Sequence, residues 1–142
     1  MLVVGLLPWL GLSCAAKPDS RTSPQHQIKT INVTYDELLS TKFITRHVTL
    51  ARGDTLQVTL ASNRTTGFCW TPQTQIVDPT VIQQVSHESP PANSSIPGAA
   101  STEVWTFAAL KAGGTTITTD YSQPWPGGTK KAWTFTATVD VR

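Results

Sequence analysis

From Ile28 to the C-terminus, apolar and polar residues alternate with period two, the pattern of strands that bury one face. Val48 and Leu50 alternate with polar neighbours, and Leu56, Val58 and Leu60 do the same in TLQVTLA. Trp105, Phe107 and Ala109 share one face of EVWTFAAL, and Ile117, Thr119 and Tyr121 share one face of TTITTDY. Trp133, Phe135, Ala137, Val139 and Val141 form the longest run. On this pattern Trp70, Trp105 and Trp133 are core residues. Arg52-Gly53-Asp54 reads as a hairpin turn rather than an adhesion tripeptide. The paired glycines of Lys111-Ala112-Gly113-Gly114 suit a tight hairpin that needs positive φ. Tyr35 to Leu39 offers one helical turn at most. Short strands with turn signals about every 8–12 residues predict an all-β antiparallel sandwich of about seven to eight strands.

Three stretches interrupt the alternation. Ser62 to Gly67 (SNRTTG) joins the Leu56–Ala61 strand to the Phe68–Trp70 strand. Ser89 to Ser101 (SPPANSSIPGAAS) has three prolines and no strand signal. Loops of about a dozen residues inside compact domains are usually functional or mobile. Gln123 to Lys130 (QPWPGGTK) sets Trp125 between two prolines. An aromatic side chain on a stiff loop loses little entropy when it is buried against a partner.

The first 27 residues differ from the rest. MLVVGLLPWLGL, followed by Ser13-Cys14-Ala15-Ala16, has the length of a signal-peptide apolar region, without the usual basic residues before it. Two cleavage readings stand. Leu10 to Cys14 resembles a bacterial lipobox, with Cys14 the lipid carrier; alternatively an ordinary signal peptidase cuts before Lys17. A retained apolar N-terminus is the third option. The expected organisation is a signal peptide over 1–16, a flexible tether over 17–27 and a sandwich domain over 28–142. The expected location is a membrane-anchored lipoprotein of a bacterial cell envelope, or otherwise a secreted protein.

Composition narrows the function. Of 142 residues only 14% are charged, the net charge is +2, and about one residue in six is Thr. Thr fits a half-buried pleated surface. A weak, unclustered positive charge argues against nucleic-acid binding. Two cysteines are too few for a disulfide scaffold or a Cys-rich zinc site. Cys69 lies between two aromatics and reads as a small strand residue, not a nucleophile served by His47 or His87. No cluster of His, Asp, Glu or Cys recurs at a catalytic or ligand spacing, so no catalytic residue, metal or cofactor is assigned.

The interrupting loops carry a signature. Asn63-Arg64-Thr65-Thr66-Gly67-Phe68 closes on Trp70, Pro90-Pro91 precedes Gly98-Ala99-Ala100-Ser101-Thr102-Glu103, and Tyr121 precedes Gln123-Pro124-Trp125. In order and spacing these resemble the three loops of the chagasin-like inhibitors of papain-type cysteine proteases. The resemblance implies an immunoglobulin-like sandwich acting as a monomer. Its three loops would form a wedge that enters the protease cleft reversibly and without covalent chemistry. The implied contacts are Asn63, Arg64, Thr65, Thr66, Gly67 and Phe68 in the first loop. The middle loop would supply Pro91, Gly98, Ala99, Ala100 and Ser101, and the last loop Gln123, Pro124 and Trp125. The residue types suit a wedge that must fill a narrow cleft. Thr65 and Thr66 are short and stiff, Gly67 permits a turn closed to other residues, and Asn63 can bond its own backbone.

The sequence departs from the family pattern in each of the three loops. Arg64 stands for Pro, Gln123 for Arg, and Ala99-Ala100-Ser101 for a glycine-rich close. If the last need positive φ, they are strained by about 1 kcal/mol or more. Three sequons occur, at Asn32, Asn63 and Asn93, and a glycan on Asn63 would obstruct the first loop. A different class of function remains open beside the inhibitor: an envelope-anchored module for a glycan or cell-wall partner, with Trp125 as its platform.

Overall fold

The computed structural model describes residues 23–90 and 100–142, with Gly5 and Gly11. The expected signal segment with Cys14, most of the tether, and Pro91, Gly98 and Ala99 of the middle loop lie outside the described residues. Nine strands and one short helix follow in the order β1 (Ile28–Val33), α1 (Tyr35–Ser40), β2 (Phe43–Leu50), β3 (Thr55–Ser62), β4 (Cys69–Trp70), β5 (Gln75–Ile76), β6 (Ile82–Glu88), β7 (Ser101–Ala109), β8 (Gly113–Ser122) and β9 (Trp133–Val141). One sheet runs β1-β3-β7-β6; the other runs β2-β9-β8-β4, with β5 also paired to β8.

The expected all-β, immunoglobulin-like sandwich is present, but two of its pairings are parallel. β1 lies parallel to β3, and β2 parallel to β9. The chain crosses from β1 to the other sheet for β2 and returns for β3, so two reversals leave β1 and β3 pointing the same way. A period-two pattern says which face is buried and nothing about a neighbour's direction. The expectation of a hairpin at Arg52-Gly53-Asp54 is corrected for the same reason. This turn joins β2 of one sheet to β3 of the other, and so is a crossover rather than a hairpin. Gly53 does take the positive φ expected of a turn glycine, +87°. The hairpin expected at Lys111-Ala112-Gly113-Gly114 is corrected likewise: its turn joins β7 of one sheet to β8 of the other, so it too is a crossover, although Gly113 takes the expected positive φ, +152°.

The inward faces are those the alternation marks. Leu56, Val58 and Leu60 of β3 and Trp105, Phe107 and Ala109 of β7 face Ile117 and Tyr121 of β8 and Phe135, Ala137, Val139 and Val141 of β9 across the core. Trp70 and Trp105 are fully buried, whereas Trp133 is only partly so. Each indole N–H finds a carbonyl: Trp70 on Ala61 (3.0 Å), Trp105 on Pro72 (2.9 Å) and Trp133 on Leu38 (2.7 Å). This is what burial of an indole requires.

Asp54 closes the end away from the candidate loops. Its carboxylate accepts from Gln27 N (2.9 Å) and Ala51 N (2.8 Å). These backbone donors, Gln27 first, hold its pKa below the ordinary 3.8. A lowered carboxylate stabilises the fold fully above its unfolded pKa, and that contribution is lost as pH falls through the lowered native value. We therefore expect Asp54→Asn to melt below the native protein near neutral pH. Thermal melts across the acid range should show the gap closing once pH drops below 3.8.

Candidate functional site

Strand directions place four connections at one end of the sandwich: β1–α1–β2, β3–β4, β6–β7 and β8–β9. Three of them are the loops singled out in the sequence.

The first loop is built on Asn63. Its Oδ1 accepts from Thr65 N (3.2 Å) and Thr65 Oγ1 (2.6 Å), and its carbonyl accepts from Thr66 Oγ1 (2.6 Å). Arg64–Thr66 is thereby wound into one 3₁₀ turn. Gly67 ends it at φ +77°, where its N–H reaches Arg64 O (3.1 Å). From below, Tyr121 Oη accepts from Asn63 N (2.8 Å) and donates to Asn63 O (3.3 Å). Asn63 is buried at the base while Arg64, Thr65 and Thr66 are exposed at the tip. A buried Asn63 leaves no room for a glycan. Phe68 turns its ring inward, 5.5 Å from Tyr121 and 5.9 Å edge-on from Trp133, so it anchors the loop to the core.

The last loop is held from within. Trp125 O accepts from Gly128 N (3.1 Å), with Pro126 and Gly127 (φ +81°) between them, the residues a type II turn prefers. Gln123 Oε1 accepts from Thr129 N (2.8 Å), so the residue that stands for the family's Arg braces its own loop. Lys130 Nζ donates to Trp125 O (2.9 Å) and to Gln123 O. Trp125 remains 46% exposed, yet its ring end sits on the first loop: a Cβ at Gly67 would lie 2.5 Å from Cη2. The two loops are thus one surface. Pro124 is exposed beside them.

Only the ends of the middle loop are described. The Arg64 guanidinium donates to Ser89 Oγ at one end, and Ser101 Oγ donates to Ser62 O (3.3 Å) at the other. Arg64 therefore ties the first loop to the middle one, a restraint of a different kind from the proline it replaces. Ala100 is exposed, and Ser101 opens β7 in ordinary strand geometry, so the strain expected of a glycine replacement does not arise at Ser101.

Beneath the loops lies the residue that closes the middle-loop motif and to which the motif assigns no role in the site. Glu103 stands two residues before Trp105 on the inward face of β7 and is 1% exposed. Its Oε1 is 3.1 Å from His87 Nε2 on β6, and its Oε2 accepts from Trp70 N on β4 at 3.4 Å. The His87 ring packs on Trp105, centroids 4.7 Å apart. One carboxylate so joins the middle-loop strands of one sheet to the first-loop strand of the other. Lys130, which the motifs do not mark, and Tyr121, which the last-loop motif names without a role, are likewise supports. Both act through backbone groups, for which sequence spacing gives no signal. Cys69, half-buried with a free thiol, adjoins this region without joining any cluster.

Comparison with known proteins bears on this geometry. No curated protein sequence matches the chain. Among solved structures, the cysteine protease inhibitor EhICP2 from Entamoeba histolytica superposes with a TM-score of 0.58 at 22% identity, over 84% of this chain and 99% of that one. PbICP-C, solved in complex with falcipain-2, gives 0.55 at 18% identity, over 80% and 99%. Both likenesses are of fold. The family model described as Chagasin family peptidase inhibitor I42 matches residues 49–139, from the end of β2 into β9 and across all three loops. The chain therefore belongs to the chagasin family of peptidase inhibitors.

Proposed function

We propose that the protein is a reversible, non-covalent inhibitor of papain-like cysteine proteases, with the Arg64–Thr66 tip entering the active-site cleft between the middle and last loops. The observation that carries this reading is the packing of Trp125 on Gly67. It makes the first and last loops a single preformed surface, so little conformational freedom is left to lose on binding. The tip suits the cleft. Its hydroxyls are already engaged with Asn63, and its backbone is wound rather than extended, so it offers a protease no ready scissile strand. The cysteine protease inhibitor from Entamoeba histolytica and the protein solved with falcipain-2 share the fold and lend the target class. An N-terminal lipid on Cys14 would hold the inhibitor at a membrane; mass spectrometry of the mature N-terminus decides between that and a Lys17 start.

The experiment is a comparison of inhibition constants for papain. Trp125→Ala should weaken inhibition about thirtyfold or more, the loss of an anchor residue worth about 2 kcal/mol. Its melting temperature should stay near the native one, because nearly half of the ring is already exposed. Equal loss of inhibition and stability would make Trp125 a structural residue instead.

A further inference from the structure

The fourth connection at the loop end, α1, belongs to none of the three family loops. It is nevertheless firmly set. Thr34 Oγ1 accepts from Glu37 N (3.3 Å), and the Glu37 carboxylate accepts from Thr34 N (2.9 Å), a capping box. Arg46 on β2 pairs with the same carboxylate. At the other end of the helix Trp133 Nε1 donates to Leu38 O (2.7 Å), tying α1 to β9.

Between α1 and the first loop lies an apolar pocket of about 100 Å³, room for a branched aliphatic side chain. Leu38 and Leu39 of α1 form one wall, Thr66 and Phe68 of the first loop the other, and Trp133 lines it too. Leu39 is 67% exposed at the mouth, and Phe43, where β2 begins, is 77% exposed. With Trp125, these are the large exposed apolar side chains at the loop end among the described residues. Thr66 belongs both to the wedge tip and to the pocket wall. A protein surface that covers the tip is therefore brought against the pocket mouth.

We infer that α1 is a fourth contact element, and that its pocket receives an apolar side chain from the rim of the papain-like protease whose cleft takes the first loop. The inference rests on the inhibitor reading above and extends its interface. It adds a contact that differs among proteases according to what their rims carry, and so selects among targets that all share the same catalytic cleft.

The test uses the full chain and papain. Leu39→Glu should raise the inhibition constant about tenfold with an unchanged melting temperature, because the side chain it replaces is mostly exposed. Leu110→Glu, at an exposed position on the opposite end, should change neither. Hydrogen exchange of the native protein with papain whose active-site thiol is blocked by a small methylthio group should slow the amides of residues 35–40. If the native protein inhibits papain but Leu39→Glu inhibits equally, or if α1 gains no protection, the fourth contact is refuted and the three-loop reading stands. If the native protein does not inhibit papain at all, both fall. A concentration-dependent dimer of the free chain that Leu39→Glu dissolves would assign the pocket to a second copy instead, and equally overturns the inference.

Discussion

Replacing Glu103 with alanine should lower the melting temperature by about 10 °C or more. The carboxylate is 1% exposed and bonds to His87 on β6 and to the Trp70 N–H on β4. Removing it leaves a buried N–H without its acceptor, at about 1–3 kcal/mol. It also leaves the cavity of a deleted side chain under the loops, and the sum is about 3 kcal/mol. Glu103→Gln keeps the shape and an acceptor for Trp70, and should lie between the two. Differential scanning calorimetry of the three proteins checks the order. A Glu103→Ala melt within about 2 °C of native would mean that the bridge contributes little.

The second large effect is functional. Gly67→Ala should raise the inhibition constant about a hundredfold. Two costs combine there. The residue sits at φ +77°, where a side chain costs about 1–2 kcal/mol. The new methyl would also stand 2.5 Å from the Trp125 ring, which must leave its seat on the first loop. Gly127→Ala separates the two costs. Its φ is +81°, but a Cβ there meets nothing within 4 Å. It should show the backbone penalty as a modest fall in melting temperature, with inhibition weakened severalfold at most. If the two substitutions weaken inhibition equally, the Trp125–Gly67 seat is not what aligns the loops.

How far the sequence reaches can be seen in particular residues. Leu56, Val58, Leu60, Phe135, Ala137 and Val139 alternate, and they are buried as that alternation requires, because burial of one face is what period two encodes. The parallel pairings of β1 with β3 and of β2 with β9 were not legible, since they follow from crossovers between sheets. In the loops, Asn63 and Gly67 announced themselves by residue type: a side chain that bonds its own turn and a backbone free to take positive φ. Trp125 stood out by its setting between prolines. The contact of Trp125 with Gly67 did not, because it joins residues far apart in the chain through packing alone. Lys130, which steadies the last loop by donating to two carbonyls, looks in sequence like any surface lysine. Glu103 was recoverable: an acid in register with Trp105 and Phe107 is an inward charge, and inward charges need partners.

In the inhibitor reading, the loop end closes the cleft of a papain-like enzyme. The direct measurement is a titration of papain, at nanomolar enzyme, with residues 23–142 against a fluorogenic peptide substrate. Activity should fall to zero as the protein approaches micromolar concentration, return on dilution, and leave the protein uncleaved on a gel. Full activity with micromolar protein present, or loss of inhibition as the protein is cleaved, would contradict the account.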